Sequence, residues 1–257
     1  MNLGIDLPEV DNPVEIMDKM MAERKKLLIG FGGNKKVEKK KLEESFSPSM
    51  FTFSLSGEAT LYPKLGEMIR ELRKRKIITF LVTNGQNPCA LKKLEKEKAL
   101  PTQFVISLNA PNKELFEFWH KSRRKDAWKR FNQSLELMKK LKGKTRRVLR
   151  LTLVAKRDGA DKTSNITNMS DENLKEYVQL IKKAQPDFIH VKGFMSIGYA
   201  RKRLPYNKQP WFKEVKEFAK RLQKELTKEG YKILAEEERS CVICIGKDKK
   251  GMRIKRA

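Results

Sequence analysis

The stretch FTFSLSGEATLYP, residues 51–63, alternates Phe51, Phe53 and Leu55 with Thr52, Ser54 and Ser56, and then sets Ser56, Gly57 and Glu58 in a row. A period of two is that of a strand with unlike faces. The glutamate at its end offers hydrogen-bond acceptors only. Similar endings recur: Thr83-Asn84-Gly85 closes a second apolar run, Ser107 and Asn109 lie on the polar side of a third, and Arg150 and Thr152 on the polar side of a fourth. Polar ends on a single strand are ordinary, because Ser, Thr, Asn and Gly make turns and cap the helices that follow. On consecutive strands they also fit one shared site.

The spacing predicts strands over 50–56, 77–83, 103–109, 146–155 and 187–195. Between them it predicts helices over 64–75, 89–98 and 125–142, the last with Trp128, Phe131, Leu135, Met138 and Leu141 at helical spacing. An earlier helix over 12–29 is capped by Asn12, starts with Pro13 and lines up Val14, Met17, Met21, Lys25 and Leu28; GFGGN, with Gly30 and Gly32 as a C-cap, stops it. Strands alternating with helices argue for parallel βαβ units, hence an α/β sheet or barrel. Phe104, Ile106 and Leu108 oppose Val105, Ser107 and Asn109, while Leu149, Leu151 and Leu153 oppose Val148, Arg150, Thr152 and Val154. In a barrel the greasy face packs on outer helices and the polar ends line the ligand-binding mouth.

At 257 residues, the chain is expected to form one domain, with an N-terminal helical segment (1–49), core βα units (50–205) and a C-terminal helix and strands (206–257). A hydrophobic share of 39% excludes a disordered or collagen-like chain. The 58 Lys+Arg against 32 Asp+Glu give +26 and point to an anionic partner, nucleic acid before membrane surface. Surface ion-pair networks of heat-adapted proteins would explain many charges but not this imbalance. No apolar run approaches the roughly 18 residues of a membrane span, and MNLGIDLPEVDNP is not signal-like, so a cytoplasmic protein without a membrane partner is expected. Cys241 and Cys244 have metal-pair spacing, but a strand would turn them to opposite faces. Both are read as core residues, and His120 and His190 as structural.

Taken together, ERKKLLIGFGGNKKV (23–37), SLSGEATLYP (54–63), FLVTNG (80–85), LPTQFVISLNAP (100–111), RLTLV (150–154) and VKGFMSIGYARKRL (191–204) resemble a radical S-adenosylmethionine enzyme, and more narrowly the tRNA 4-demethylwyosine synthase family. The resemblance covers about residues 10 to 245 and implies a partial (β/α)6 barrel. It implies that Ser56-Gly57-Glu58 holds the amino group of S-adenosylmethionine. Thr83-Asn84-Gly85, Ser107 with Asn109, and Arg150 with Thr152 then contact its ribose or carboxylate, Arg150 being the carboxylate clamp. Family members often show an acidic residue where Asn109 stands. Tyr199, Arg201, Lys202 and Arg203 would meet tRNA, their cations neutralising phosphates beside an aromatic. Lys192 could face the site as a catalytic group or be a salt-bridged barrel lysine. The implied reaction cleaves S-adenosylmethionine reductively, abstracts hydrogen from the methyl group of N1-methylguanosine in phenylalanine tRNA, and adds two carbons of pyruvate to close a ring.

The family also implies a [4Fe-4S] cluster on a Cys-x3-Cys-x2-Cys loop, which this sequence lacks; Cys89, Cys241 and Cys244 do not replace it. Metal ligands within this chain are therefore not expected. Three accounts are open: a split enzyme completed by a cysteine-bearing N-terminal chain, a longer protein with that part upstream, or a catalytically degenerate basic RNA-binding module. The first two imply a barrel missing its first strand, whose open edge invites another polypeptide.

Overall fold

The computed structural model describes residues 10–54, 57–157 and 166–254. Helix α1 (Pro13–Ile29) starts as its sequence dictates: Asn12 Oδ1 accepts from Val14 N at 2.8 Å and Pro13 occupies the first turn, where no amide donor is needed. It ends at Gly30, which keeps right-handed angles (φ −63°), so this stop does not use glycine's special freedom. Met17 is buried whereas Val14 is 40% exposed, so the packed face is narrower than the expected one.

After α2 (Lys39–Ser45), strand and helix alternate: β1 (Met50–Phe53), α3 (Leu65–Lys74), β2 (Ile78–Thr83), α4 (Pro88–Lys96) and β3 (Gln103–Ser107). Two helices, α5 (Lys113–His120) and α6 (Ala127–Lys140), precede β4 (Arg146–Leu153), followed by α7 (Asp171–Ala184), β5 (Phe188–Gly193) and α8 (Phe212–Glu225). A hairpin of β6 (Lys232–Glu237) and β7 (Val242–Gly246) completes the order. One sheet runs β1-β2-β3-β4-β5-β7-β6; its first five strands are parallel, and the hairpin adds antiparallel through β7. This is the expected α/β class, with an open sheet.

The two faces differ as the alternation predicts. Phe104, Ile106, Leu149, Leu151, Leu153, Ile189 and Val191 lie under the helices with almost no exposure. Their neighbours Ser107, Arg150, Thr152, His190 and Lys192 share the opposite, partly open face, because registered residues on neighbouring strands point the same way. At the amino ends of the strands that concave face is closed by Val105, Val148, Phe188 and Leu234, with Met252 packed on them. Arg146 stacks 4.3 Å over the Phe188 ring and donates to the Met252 carbonyl at 2.7 Å, fastening the chain's last described turn across the floor.

Cys241 departs from its expected place. It lies in the turn before β7 with φ +50°, and Cys244 alone of the pair is in a strand. Both are partly buried rather than in the core. Among the described residues no helix is long and apolar enough to cross a membrane.

Candidate functional site

The loop after β1 is tied to the end of β2 by one carboxylate. Glu58 Oε1 accepts from Thr60 N (3.2 Å), Thr60 Oγ1 (2.8 Å) and Thr83 Oγ1 (2.7 Å), and Oε2 accepts from Asn84 N (2.9 Å). With roughly two lone pairs per oxygen, the remaining acceptor capacity lies on Oε2. Gly57 and Gly85 allow these turns, with φ +76° and +73°; a Cβ on Gly85 would also stand 3.0 Å from Phe131. Beside Glu58, a hollow of about 390 Å³ is lined by Thr52, Ser54 and Gly57 together with Phe51 and Met20. Ser56 lies outside the described residues.

Thr83 is buried and shares the helix-covered face with Ile106, its register partner. Its hydroxyl donates to Glu58 and accepts from Gly85 N at 3.1 Å, so it positions the turn and does not face the hollow. Asn84 is exposed, and its side-chain oxygen accepts from Gln86 N at 2.9 Å.

Two strands further on, Arg150 Nη2 donates to Ser107 Oγ at 3.1 Å. Arg150 has no ion-pair partner among the described residues. Burial pushes its guanidinium below its ordinary value, yet an arginine stays charged in a protein. A half-buried cation with one neutral partner lacks an anion. His190, in register with Arg150, is pushed down to about 4, first by burial and then by the charges of Arg146 and Arg150. It is neutral at pH 7.

Because the folded value of His190 lies below the ordinary 6.5, the unfolded chain binds the proton more readily between those limits. Stability is therefore lost as pH falls from about 6.5 toward 4, by about 3 kcal/mol at the lower end. Burial lowers His120 in the same direction. Denaturation midpoints at pH 7 and pH 4.5 check this: His190→Gln is expected to shrink the difference, and an unchanged difference would contradict it.

Asn109 and Thr152 are held by a residue the sequence reading missed. Asn168, fully buried, accepts from Val154 N and donates to the carbonyls of Asn109 and Thr152, all at 2.8 Å. Tyr177 Oη also donates to the Asn109 carbonyl. The Asn109 side-chain oxygen is buried without a partner among the described residues. Thus Glu58, Thr83 and Asn84 form one bonded group and Ser107 with Arg150 another, at the carboxyl ends of β1 to β4. Among the described residues no side-chain hydrogen bond joins the two groups; the β2–β3 ladder connects them through the backbone.

After β5 the chain enters a 3-10 turn over Gly198–Lys202. Tyr199 is 80% exposed, with Lys202 Nζ 5.3 Å from its ring centroid. Arg201 Nε donates to the Ser196 carbonyl at 3.0 Å, and Arg203 is exposed. Lys192 is half-buried on the concave face, in register with Thr152 and Val242. Among the described residues no group of His, Cys, Asp and Glu could hold a metal ion.

The radical SAM superfamily model matches residues 9–184, and a model described as wyosine base formation matches 183–247. The S-adenosyl-L-methionine-dependent tRNA 4-demethylwyosine synthase of Pyrococcus horikoshii is 41% identical over 247 residues, covering 96% of this chain and 68% of that protein. This chain belongs to the tRNA 4-demethylwyosine synthase family. Its relative in Methanocaldococcus jannaschii is 31% identical over 94% of this chain and 71% of its own length. A solved structure described as TYW1 with a lysine-pyruvate adduct bound superposes with a TM-score of 0.76 at 27% identity, covering 95% of this chain and 72% of that one. An archaeal TYW1 crystal structure gives 0.71 over 95% and 73%. As a radical SAM wyosine-biosynthesis family, these homologues place the chain among enzymes of tRNA modification that use S-adenosylmethionine and an iron-sulfur cluster.

Proposed function

We propose that this chain grips S-adenosylmethionine and phenylalanine tRNA in a 4-demethylwyosine synthase that converts N1-methylguanosine, with two carbons of pyruvate, to the tricyclic base. The observation that carries this reading is Arg150, a half-buried guanidinium on the concave face whose one side-chain hydrogen-bond acceptor among the described residues is the neutral Ser107 hydroxyl. It would take the methionine carboxylate. Glu58 Oε2, with the Ser56-Gly57 backbone, would accept from the amino group. Asn84, Ser107, Asn109 and Thr152 would meet the nucleoside, the Asn109 oxygen, which has no partner among the described residues, suiting a ribose hydroxyl. Thr83 and Gly85 support the turn. Bound S-adenosylmethionine supplies radical chemistry when reduced.

The cluster does not fit residues of this chain. Cys89 is exposed on α4, Cys241 sits in a turn and Cys244 is on β7. On our reading the thiolates come from a cysteine-bearing segment or chain that adds a strand beside β1. That edge is unpaired among the described residues, and Met17, Met20, Met21, Met50 and Phe51 line a groove next to it. Unpaired strand edges are templates for pairing. Lys192, half-buried on the concave face, would meet pyruvate. Tyr199, Arg201, Lys202 and Arg203 would contact the RNA.

The test is to co-express the chain with a cysteine-bearing partner, reconstitute iron anaerobically, and assay deoxyadenosine and the tricyclic base on a methylated tRNA transcript. Both products are expected only when the two chains are combined. The lack of a Cys-x3-Cys-x2-Cys motif favours a second reading, a degenerate RNA-binding module. That reading prevails if the chain binds tRNA but not S-adenosylmethionine in equilibrium dialysis.

A further inference from the structure

A second strongly basic segment lies at the same end of the sheet as the 199–203 turn. Between α5 and α6 the chain runs Lys121-Ser122-Arg123-Arg124-Lys125-Asp126, and all six residues are exposed. Lys121, Arg123, Arg124 and Lys125 enter no ion pair among the described residues. The one acidic neighbour in the segment, Asp126, lies 3.9 Å from Arg130. Four cations without an ion pair in five residues form a concentrated positive field, whereas the flanking and neighbouring helices carry pairs such as Lys113–Glu117 and Lys93–Glu97.

Its position is fixed by the site. The 108–126 connection follows β3 at its carboxyl end, where Ser107 meets Arg150. Lys121 ends α5 in the left-handed conformation (φ 44°), Ser122 Oγ accepts from Arg124 N at 3.2 Å, and Ala127 N donates to the Arg124 carbonyl at 3.3 Å. Arg130 Nε donates to the Gln86 carbonyl at 2.7 Å, and Gln86 Nε2 to the Ala127 carbonyl at 3.2 Å. The start of α6 is thus fastened to the same β2 loop whose Asn84 amide bonds Glu58. The 199–203 turn belongs to the connection after β5, on the other side of β4. The two basic segments therefore flank the Ser107–Arg150 pair.

We propose that residues 121–125 form a second phosphate-binding arm, so that an RNA stem-loop is held on both sides of the mouth while its unstacked base enters between them. The proposal rests on the tRNA reading above and adds to it a bipartite footprint. Phosphate contacts from two sides set the orientation of the RNA without reading its sequence. That leaves base selection to the concave face.

Because the whole chain carries +26, any charge reversal weakens RNA binding somewhat, and the test needs a matched control. Lys139, Lys140 and Lys142 supply it: they are exposed at the far end of α6, toward the amino ends of the strands. Three variants change the charge equally: Arg123→Glu/Arg124→Glu/Lys125→Glu, Arg201→Glu/Lys202→Glu/Arg203→Glu and Lys139→Glu/Lys140→Glu/Lys142→Glu. Binding of a fluorescent phenylalanine tRNA transcript is measured by anisotropy across salt concentrations, with circular dichroism confirming the fold and Gln versions as milder counterparts. Both mouth variants are expected to bind about tenfold or more weakly at moderate salt and to reduce the salt slope by about 2, while the control changes little. If the 123–125 variant matches the control and the 201–203 variant does not, the second arm is refuted and the tRNA turn stands. If all three behave alike, the RNA reading falls with it.

Discussion

Arg150→Ala is expected to weaken binding of S-adenosylmethionine to this chain by about ten- to a hundredfold, the value of a hydrogen-bonded charge pair. The side chain carries its charge on a half-buried face, with the Ser107 hydroxyl as its one hydrogen-bond partner among the described residues. Little of the fold depends on it, so the loss falls on the ligand. Methylthioadenosine, which has no amino-acid carboxylate, separates this role from a general effect: the variant should bind it as the parent chain does. Equal affinity of parent and variant for S-adenosylmethionine would remove the clamp. Glu58→Ala is a poorer probe, because it strands the donors of Thr60, Thr83 and Asn84 and loosens two loops at once.

Asp187→Ala is expected to lower the unfolding free energy by about 3–5 kcal/mol, the usual consequence of leaving a buried charge without its partner. Arg147 is 2% exposed among the helices, and Asp187 holds it through Nη2 at 2.6 Å and Nε at 3.1 Å. Asp187 Oδ2 also accepts from Arg147 N at 2.8 Å, and Asp187 N donates to the Arg147 carbonyl at 2.9 Å. The pair thus sets β5 against β4. Urea denaturation measures the loss, and Arg147→Met combined with Asp187→Ala should recover much of it. A single variant as stable as the parent would show that the pair contributes nothing.

The alternating strands were legible because a residue buried under helices and its neighbour on an open face need opposite character. Phe104 against Ser107, and Leu149 against Arg150, carry that rule without ambiguity. In β2 it misleads. Thr79, Leu81 and Thr83 face the helices while Phe80 and Val82 lie on the concave side, because register with Phe104 and Ile106 decides their direction. Thr83, which the family resemblance puts at the ligand, lies on the helix-covered face and donates its hydroxyl to the neighbouring Glu58 carboxylate. Long-range partners left no local trace: Asp187 lies 40 residues from Arg147, and Asn168 lies 59 from Asn109. The exposed run at 121–125 was visible as composition, but nothing local tells which end of the sheet it occupies.

The floor formed by Phe188, Arg146 and Met252 covers the concave face at the amino ends of the strands, so among the described residues that face opens toward the carboxyl ends and toward the unpaired β1 edge. On the proposed reading, an RNA across the first opening and an added strand across the second would close both, so small molecules would have to be loaded before the RNA docks, and their spent remains could depart only after it lifts away.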